Sequence, residues 1–268
     1  MVLQLLAFSD NIPLRGHNMK YHSTDNICTI TGIHPSNLRR WYRYGLISPG
    51  EFSEGWNETQ LEDVRTLKTQ TASGATLLDI RHSHQSGDPL RTYGWSALKG
   101  DLLWQLEFGS DRALSRYVRN VINDYSSDDV INHLLRPVNR WLQEDTRDGA
   151  SRRLQRFHQC VVHRAGSLTR SSRRDGDVPL FLEAISVKDD NEIWLEAIRL
   201  SGQGFSVDVS SIISEIPVAI SSRHEHHLMW CGAGISVGMK QHFSDSIAEG
   251  KPIMLCGPDR VTAQSYVN

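Results

Sequence analysis

The sequence predicts a multidomain chain of α and α/β class: a helix-turn-helix near the N-terminus, a helical bundle in the middle and a small parallel α/β unit at the end. Three observations predict it. Residues 23–45, STDNICTITGIHPSNLRRWYRYG, read as two short helices broken at Gly32. Between Gly94 and about Ser171, apolar residues recur at helical spacing. Beyond a polar stretch at 171–177, short apolar runs alternate with helical ones, as buried parallel strands joined by crossover helices do. A chain of 268 residues suits two or three domains and can bury at least one sizeable core.

The first helix is capped by Ser23 or Thr24, whose hydroxyl can accept an orphan backbone N–H. Gly32 ends it, since glycine enters the left-handed conformation without steric cost. Ile33 fills the turn, and Pro35 suits the first turn of the second helix, where its missing N–H has no partner to lose. Leu38, Trp41 and Tyr42 form an apolar face at three- and four-residue spacing. That turns Asn37, Arg40 and Tyr44 outward and leaves Arg39 and Arg43 on a flank. A guanidinium fork can hydrogen-bond guanine edges or phosphate oxygens at two points, so Asn37, Arg39, Arg40, Arg43 and Tyr44 are the candidate DNA-contacting residues. The bland alternative is ordinary helical packing with a solvated charged face.

In the middle segment the apolar sets are Trp95, Leu98, Leu102 and Leu106, then Val118, Val121 and Ile122, then Val130, Leu134, Val138 and Leu142. A further helix runs from Ala150 to Leu168, so four helices make a bundle. Its Arg152, Arg153, Arg156, Arg164 and Arg170 read as a solvated face, with few aromatics to stack bases. SSRRDGD, residues 171–177, reads as a linker. After it, VPLFLEAI, FSVDV, HLMWCG and PIMLCG are the expected strands. Helices are expected around Glu192–Leu200, Ile212–Ile220 and Val237–Glu249.

A net charge of −2 and a pI near 6.6 argue against a protein that coats nucleic acid, while permitting one that docks through a local site. The four cysteines form no CxxC pair, so they offer neither a zinc framework nor a redox dithiol, and a reducing cytosol is their simplest home. The VLQLLAF run is too short to span a bilayer and lacks signal-peptide flanks.

LRRWYRYGLISP, with its Leu-Arg-x-aromatic-x-x-x-Gly-Leu-hydrophobic-x-Pro pattern, resembles the core of the MerR family of transcription regulators. The resemblance implies a winged helix-turn-helix whose second helix reads DNA, with Gly55 in the wing and LEDVRTLKTQTASGATLLDI as the third and fourth helices, joined at Gly74. Met19-Lys20 sits where members commonly begin, so the preceding residues are an extension or a start-site artefact. The wing departs from the family pattern. It reads GEFSEGWNETQ, with Glu51, Glu54 and Glu58 and no arginine, and carboxylates are repelled by phosphate. Trp56 can take the place of the usual wing aromatic as a packing residue.

NEIWLEAIRLSGQGFSVDVSSI followed by HLMWCG is similar to the C-terminal domain of the MlrA-type branch of that family, linked to curli and biofilm control. The boundaries expected are 19–86 for the DNA-binding domain, 87–175 for the bundle with its linker, and 176–268 for a Rossmann-like sensor or interaction domain. Cobalamin-binding members of the family share this order of domains, and their cobalt ligand is a histidine after the first strand. Family spacing puts Asp189 at that histidine position and Glu192 at a glycine position, so no cofactor is expected. The histidines of His224, Glu225, His226 and His227 read as a solvated loop, and Asp189 and Asp190 as a helix cap. No nucleophile, base and acid stand at interpretable spacing, so no enzyme is expected.

The resemblance implies a cytoplasmic, nucleoid-associated transcription regulator of the activator type, acting as a homodimer on promoter DNA with RNA polymerase. The segment from Ile80 to Tyr93 is short for a coiled coil, so the bundle could supply the dimer contact. The alternative is a protein-interaction or sensor protein whose winged helix has lost DNA binding.

Overall fold

The computed structural model describes residues 21–49, 55–90, 94–213 and 223–259. Helix α1 (Thr24–Thr31) opens on Ser23, whose Oγ accepts from the N–H of Asn26 at 3.1 Å, and closes at Gly32, φ +67°. Helix α2 (Pro35–Arg43) starts on the expected proline. Helix α3 (Glu58–Ala72) carries a reciprocal cap between Asn57 and Gln60, and α4 (Leu77–Ser86) is capped by Thr76. Ile27, Ile33, Leu38, Trp41, Val64 and Ile80 close one core among these four helices. Of the expected wing, only its base falls among the described residues. His22 and Trp56 exchange two backbone hydrogen bonds, of 2.7 and 2.9 Å, while Glu51 and Glu54 lie outside the described residues.

The bundle comprises α5 (Gly94–Glu107), α6 (Asp111–Asp124), the continuous run α7 (Ser127–Asp129) to α8 (Arg136–Glu144), and α9 (Ala150–Asp175). Between α7 and α8, residues Val130–Leu135 are π-helical. Pro137 explains the widening, because it cannot donate to the carbonyl four residues earlier and its ring crowds that turn. Helix α9 overturns the expected linker, since it continues to Asp175 and is capped at Gly176. Neighbours hold that last stretch in place. Ser172 is buried, Thr169 donates to the carbonyl of Val207 at 2.8 Å, and Arg173 pairs with Asp208.

Strands β1 (Val178–Ser186), β2 (Phe205–Ser210), β3 (His226–Cys231) and β4 (Ile253–Cys256) form a parallel sheet in the order β2-β1-β3-β4. They match the four expected runs. Helix α10 (Asp190–Ser201) packs with α9 on one face, and α11 (Val237–Ala248) covers the other through Met239 and Phe243 against Ile185, Met229 and Leu255. Bundle and sheet share one core, in which Leu102, Leu134, Phe157 and Val161 join Leu182, Ile198 and Trp230. Of the helix expected at Ile212–Ile220, residues 212 and 213 are not helical and the remainder lies outside the described residues.

Two of the three histidines are drawn into the fold rather than left in a solvated loop, while His226, the first residue of β3, is exposed. His227 lies within β3 and bonds Glu183 of β1 at 2.9 Å, with both side chains buried. His224 bonds Asp208 of β2 at 2.9 Å and is likewise screened from solvent. Carboxylates on neighbouring strands hold both rings, and among the described residues no group of three or more His, Cys, Asp or Glu is placed to hold a metal.

Candidate nucleic-acid interface

Helix α2 is fixed from beneath by Leu38 and Trp41, which are 0 and 1 % exposed. That anchorage decides where the five candidate residues point. Arg39 and Arg43 are exposed, one turn apart, and their Nε donors rest on the carbonyls of Pro35 and Arg39 at 3.4 and 3.3 Å. Tyr44 is exposed at the end of the helix, and Asn37 is half-buried.

Arg40 departs from the expected outward position. Its Nη2 donates to Asp124 at the end of α6, and its guanidinium lies 5.5 Å from the ring centre of Tyr44. Burial pushes the Asp124 carboxyl up, against the opposing pull of Arg40. The most accessible cations of α2 are therefore Arg39 and Arg43, while Arg40 ties the helix to the bundle.

Two aromatic donors complete that tie. Trp95 Nε1 donates to the carbonyl of Ala72 at 2.8 Å, and the Tyr125 hydroxyl donates to the carbonyl of Gly74 at 3.3 Å. Gly74 has φ +89°, and a Cβ there would stand 2.9 Å from the backbone of Gly94, so glycine is required both by conformation and by close approach. At the other end of α2, His34 caps the helix by accepting from Ser36 N at 3.2 Å and lies beside Gly204. Burial lowers its pKa, although Asp177 and Asp175 pull it upward. Sequence reasoning missed Asp124, Trp95 and Tyr125, and no local pattern marks them, because Asp124 lies 84 positions from the arginine it holds.

The acids around the wing are partly used inside the fold. Glu58 bonds His22 Nε2 at 2.8 Å, and Asp63 accepts from the N–H of Ser48 at 2.7 Å. Trp56 packs in the core and donates through Nε1 to Thr24 Oγ1 at 3.0 Å, which fits the expected packing role.

A second concavity, of about 1430 Å³, lies between α8, α10 and the sheet. Arg136, Asn139, Asp189, Trp230 and Met254 are among its walls. Asp189, at the expected position of a cobalt-ligating histidine, caps α10 by accepting from Asn191 N at 2.9 Å. It also accepts from the side chains of Asn139 and Gln143. Asn191 in turn donates to Asn139 at 2.7 Å and bonds His158 at 2.8 Å, while Arg136 donates to Glu192 at 2.9 Å. These side chains clamp the bundle onto α10. At the position of the family's histidine they present a carboxylate already engaged by Asn139, Gln143 and Asn191, while His226 and His227 line the same cavity.

The α9 arginines are not one solvated face. Arg153 is 5 % exposed and donates to Asp145, Glu107 and the carbonyl of Asp148. Arg156 donates to Asp111 and to the carbonyls of Leu106 and Gly109.

No family model matches the chain. It is 22 % identical over 247 residues to the HTH-type transcriptional regulator MlrA of Escherichia coli (strain K12), covering 89 % of this chain and 100 % of that protein. The same-named protein of Salmonella typhimurium (strain SL1344) is 22 % identical over 241 residues, covering 88 % of this chain and 98 % of that one. Among the described residues, no helix is long and apolar enough to cross a membrane. Over close to nine-tenths of its length the chain is MlrA-like.

Proposed function

We propose that the chain is a sequence-specific DNA-binding transcription regulator whose α2 enters the major groove from a winged helix-turn-helix. The observation that carries this reading is the exposed pair Arg39 and Arg43 on a helix fixed from beneath by Leu38 and Trp41. Arg39, Arg43 and Asn37 reach base edges or flanking phosphates, and Tyr44 contacts the backbone at the helix end. Arg40 reaches DNA only when it leaves Asp124, and otherwise sets the angle of α2 on the bundle. The MlrA proteins, named HTH-type transcriptional regulators, support the assignment.

The finer reading is a homodimer acting as an activator on promoter DNA, with RNA polymerase as its partner. In it the Rossmann-like C-terminal unit serves as a sensor or interaction domain without enzymatic activity or cobalamin, and the protein works in the cytoplasm at the nucleoid. Salt dependence tests the core of the proposal. DNA affinity falls steeply with rising salt as counterions are released, and the fall is shallower for an Arg39→Ala, Arg43→Ala variant.

One observation favours a second reading, in which α2 serves as an interaction element. Arg40 and His34 are engaged by the bundle and by the neighbourhood of Gly204. An absence of DNA binding at low salt selects that reading.

A further inference from the structure

Between α6 and α9 lies a groove of about 510 Å³ whose charged walls are all cationic. Arg112, Arg116 and Arg119 fall at i, i+4 and i+7 on one face of α6 and form its exposed rim. From α9 come His163, exposed at the edge, and the half-buried Arg164 deeper in. No carboxylate lines it among the described residues. The contrast with an earlier stretch of the same helix is plain, since Arg156 there is matched to Asp111 and to backbone carbonyls.

The deeper donors are poorly matched. Arg164 gives one hydrogen bond, from Nη2 to the neutral Asn123 at 3.0 Å, and its buried Nε has no partner. Burial lowers the Arg164 pKa, and Arg119 lowers it further, so the charged form is held at a cost that an anion would relieve. Cys160 on the floor gives no compensating charge, because burial pushes its thiol up to about 11. Ser167 adds a hydroxyl donor on the α9 wall, while the Ser115 side chain opposite is engaged with Cys160.

We infer that this groove binds a small phosphorylated anion of at least two negative charges, held by Arg112, Arg116, Arg119 and Arg164 through its phosphate oxygens. The size matches: a cavity of this volume falls within the roughly 300–1,000 Å³ of small-molecule sites. Among the described residues no Phe, Tyr or Trp lines it and its single ring is the His163 imidazole at the exposed edge, so the arginines address the phosphates rather than a stacked base. Arg164 and the two serines lie between the helices, where a compact anion reaches more readily than the wide backbone of a duplex. The inference is independent of DNA binding, and its primary titration contains no promoter DNA.

The test is calorimetric titration of the full chain with inorganic pyrophosphate and tripolyphosphate at constant ionic strength, with sulfate in parallel. Saturable binding is expected, tighter for the polyphosphates than for sulfate. It should weaken by at least about ten-fold in Arg164→Gln and in Arg116→Gln, as for loss of a charge-assisted hydrogen bond. Arg174→Gln, at the exposed end of α9 and away from the groove, should bind as the unaltered chain does. Arg116 is on the rim, so its variant keeps the test open should Arg164→Gln not fold. Absence of saturable binding, or undiminished affinity in both groove variants, overturns the inference. So does displacement of pyrophosphate by random-sequence duplex with matching loss of duplex binding in Arg116→Gln, which would make the groove a site for the DNA backbone.

Discussion

On α2, Arg39 and Arg43 stand exposed, with their Nε donors resting on carbonyls of their own helix or its first residue. On α9, Arg153 sits at 5 % exposure inside a cage made by Asp145, Glu107 and a backbone carbonyl. In sequence the two helices look alike, each with paired arginines among apolar residues. What separates them is whether a carboxylate arrives from elsewhere in the fold. An arginine matched inside the molecule fixes structure, and one left in solvent is available to a ligand. Arg40 stands between these cases, since Asp124 reaches it from the end of α6.

The comparison extends to the cores. Trp41 belongs to the core of α1–α4, whereas Phe157 belongs to the core that bundle and sheet share. Trp41→Ala and Phe157→Ala should each cost about 3–5 kcal/mol, as for large aromatics removed from a packed core. The two variants differ in how far the damage spreads. Hydrogen exchange should show Trp41→Ala loosening α1–α4 ahead of the sheet, and Phe157→Ala loosening bundle and sheet together. Equal loosening everywhere in both variants would break the division.

Next in size is the division between matched and solvent-facing arginines. Arg39→Ala with Arg43→Ala should lower affinity for a selected DNA site by roughly 10- to 100-fold for each arginine that grips a base edge. The urea midpoint should hardly move. Arg153→Met should do the reverse, lowering the midpoint while the folded protein keeps its DNA preference. Smaller still is the effect at Gly74, where alanine should destabilise by more than about 1 kcal/mol through strain at positive φ. Its signature is faster exchange at the start of α4 and of α5, the place where Trp95 and Tyr125 hold the two regions together.

The smallest effect is a pH dependence. The Asp145 carboxyl is held well below the usual carboxylate range, first by the hydrogen bond from Arg147 and, against burial, by that from Arg153. A depressed carboxyl stabilises fully above the unfolded value of about 4 and loses that contribution as pH falls through it towards the folded value. The difference in urea midpoint between the unaltered chain and Asp145→Asn should hold from neutral pH to about 5 and shrink below about 4.

Local chemistry made much of the fold legible. Ser23, Gly32 and Pro35 mark the bounds of α1 and α2 with short-range signals, and the four apolar runs after residue 177 became β1 to β4. What escaped depends on partners far along the chain. Residues 171–175 read as linker because Asp208, which holds Arg173, comes 35 positions later. His224 and His227 read as solvated because Asp208 and Glu183 meet them only once the strands pair. Of the candidate interface, the anchored face of α2 was readable from helical periodicity, which put Arg39 and Arg43 only on its flank and turned outward an Asn37 that the fold half-buries. The inward hold on Arg40 was not, since periodicity describes one helix and cannot show what packs against it.

The most direct test of the central claim is selection of genomic DNA fragments by the purified full chain at two salt concentrations, beside the Arg39→Ala, Arg43→Ala variant. The account predicts an enriched inverted repeat that the unaltered chain recovers, more weakly at high salt, and that the variant fails to recover. No enriched sequence at either salt, or equal enrichment by the variant, would contradict it.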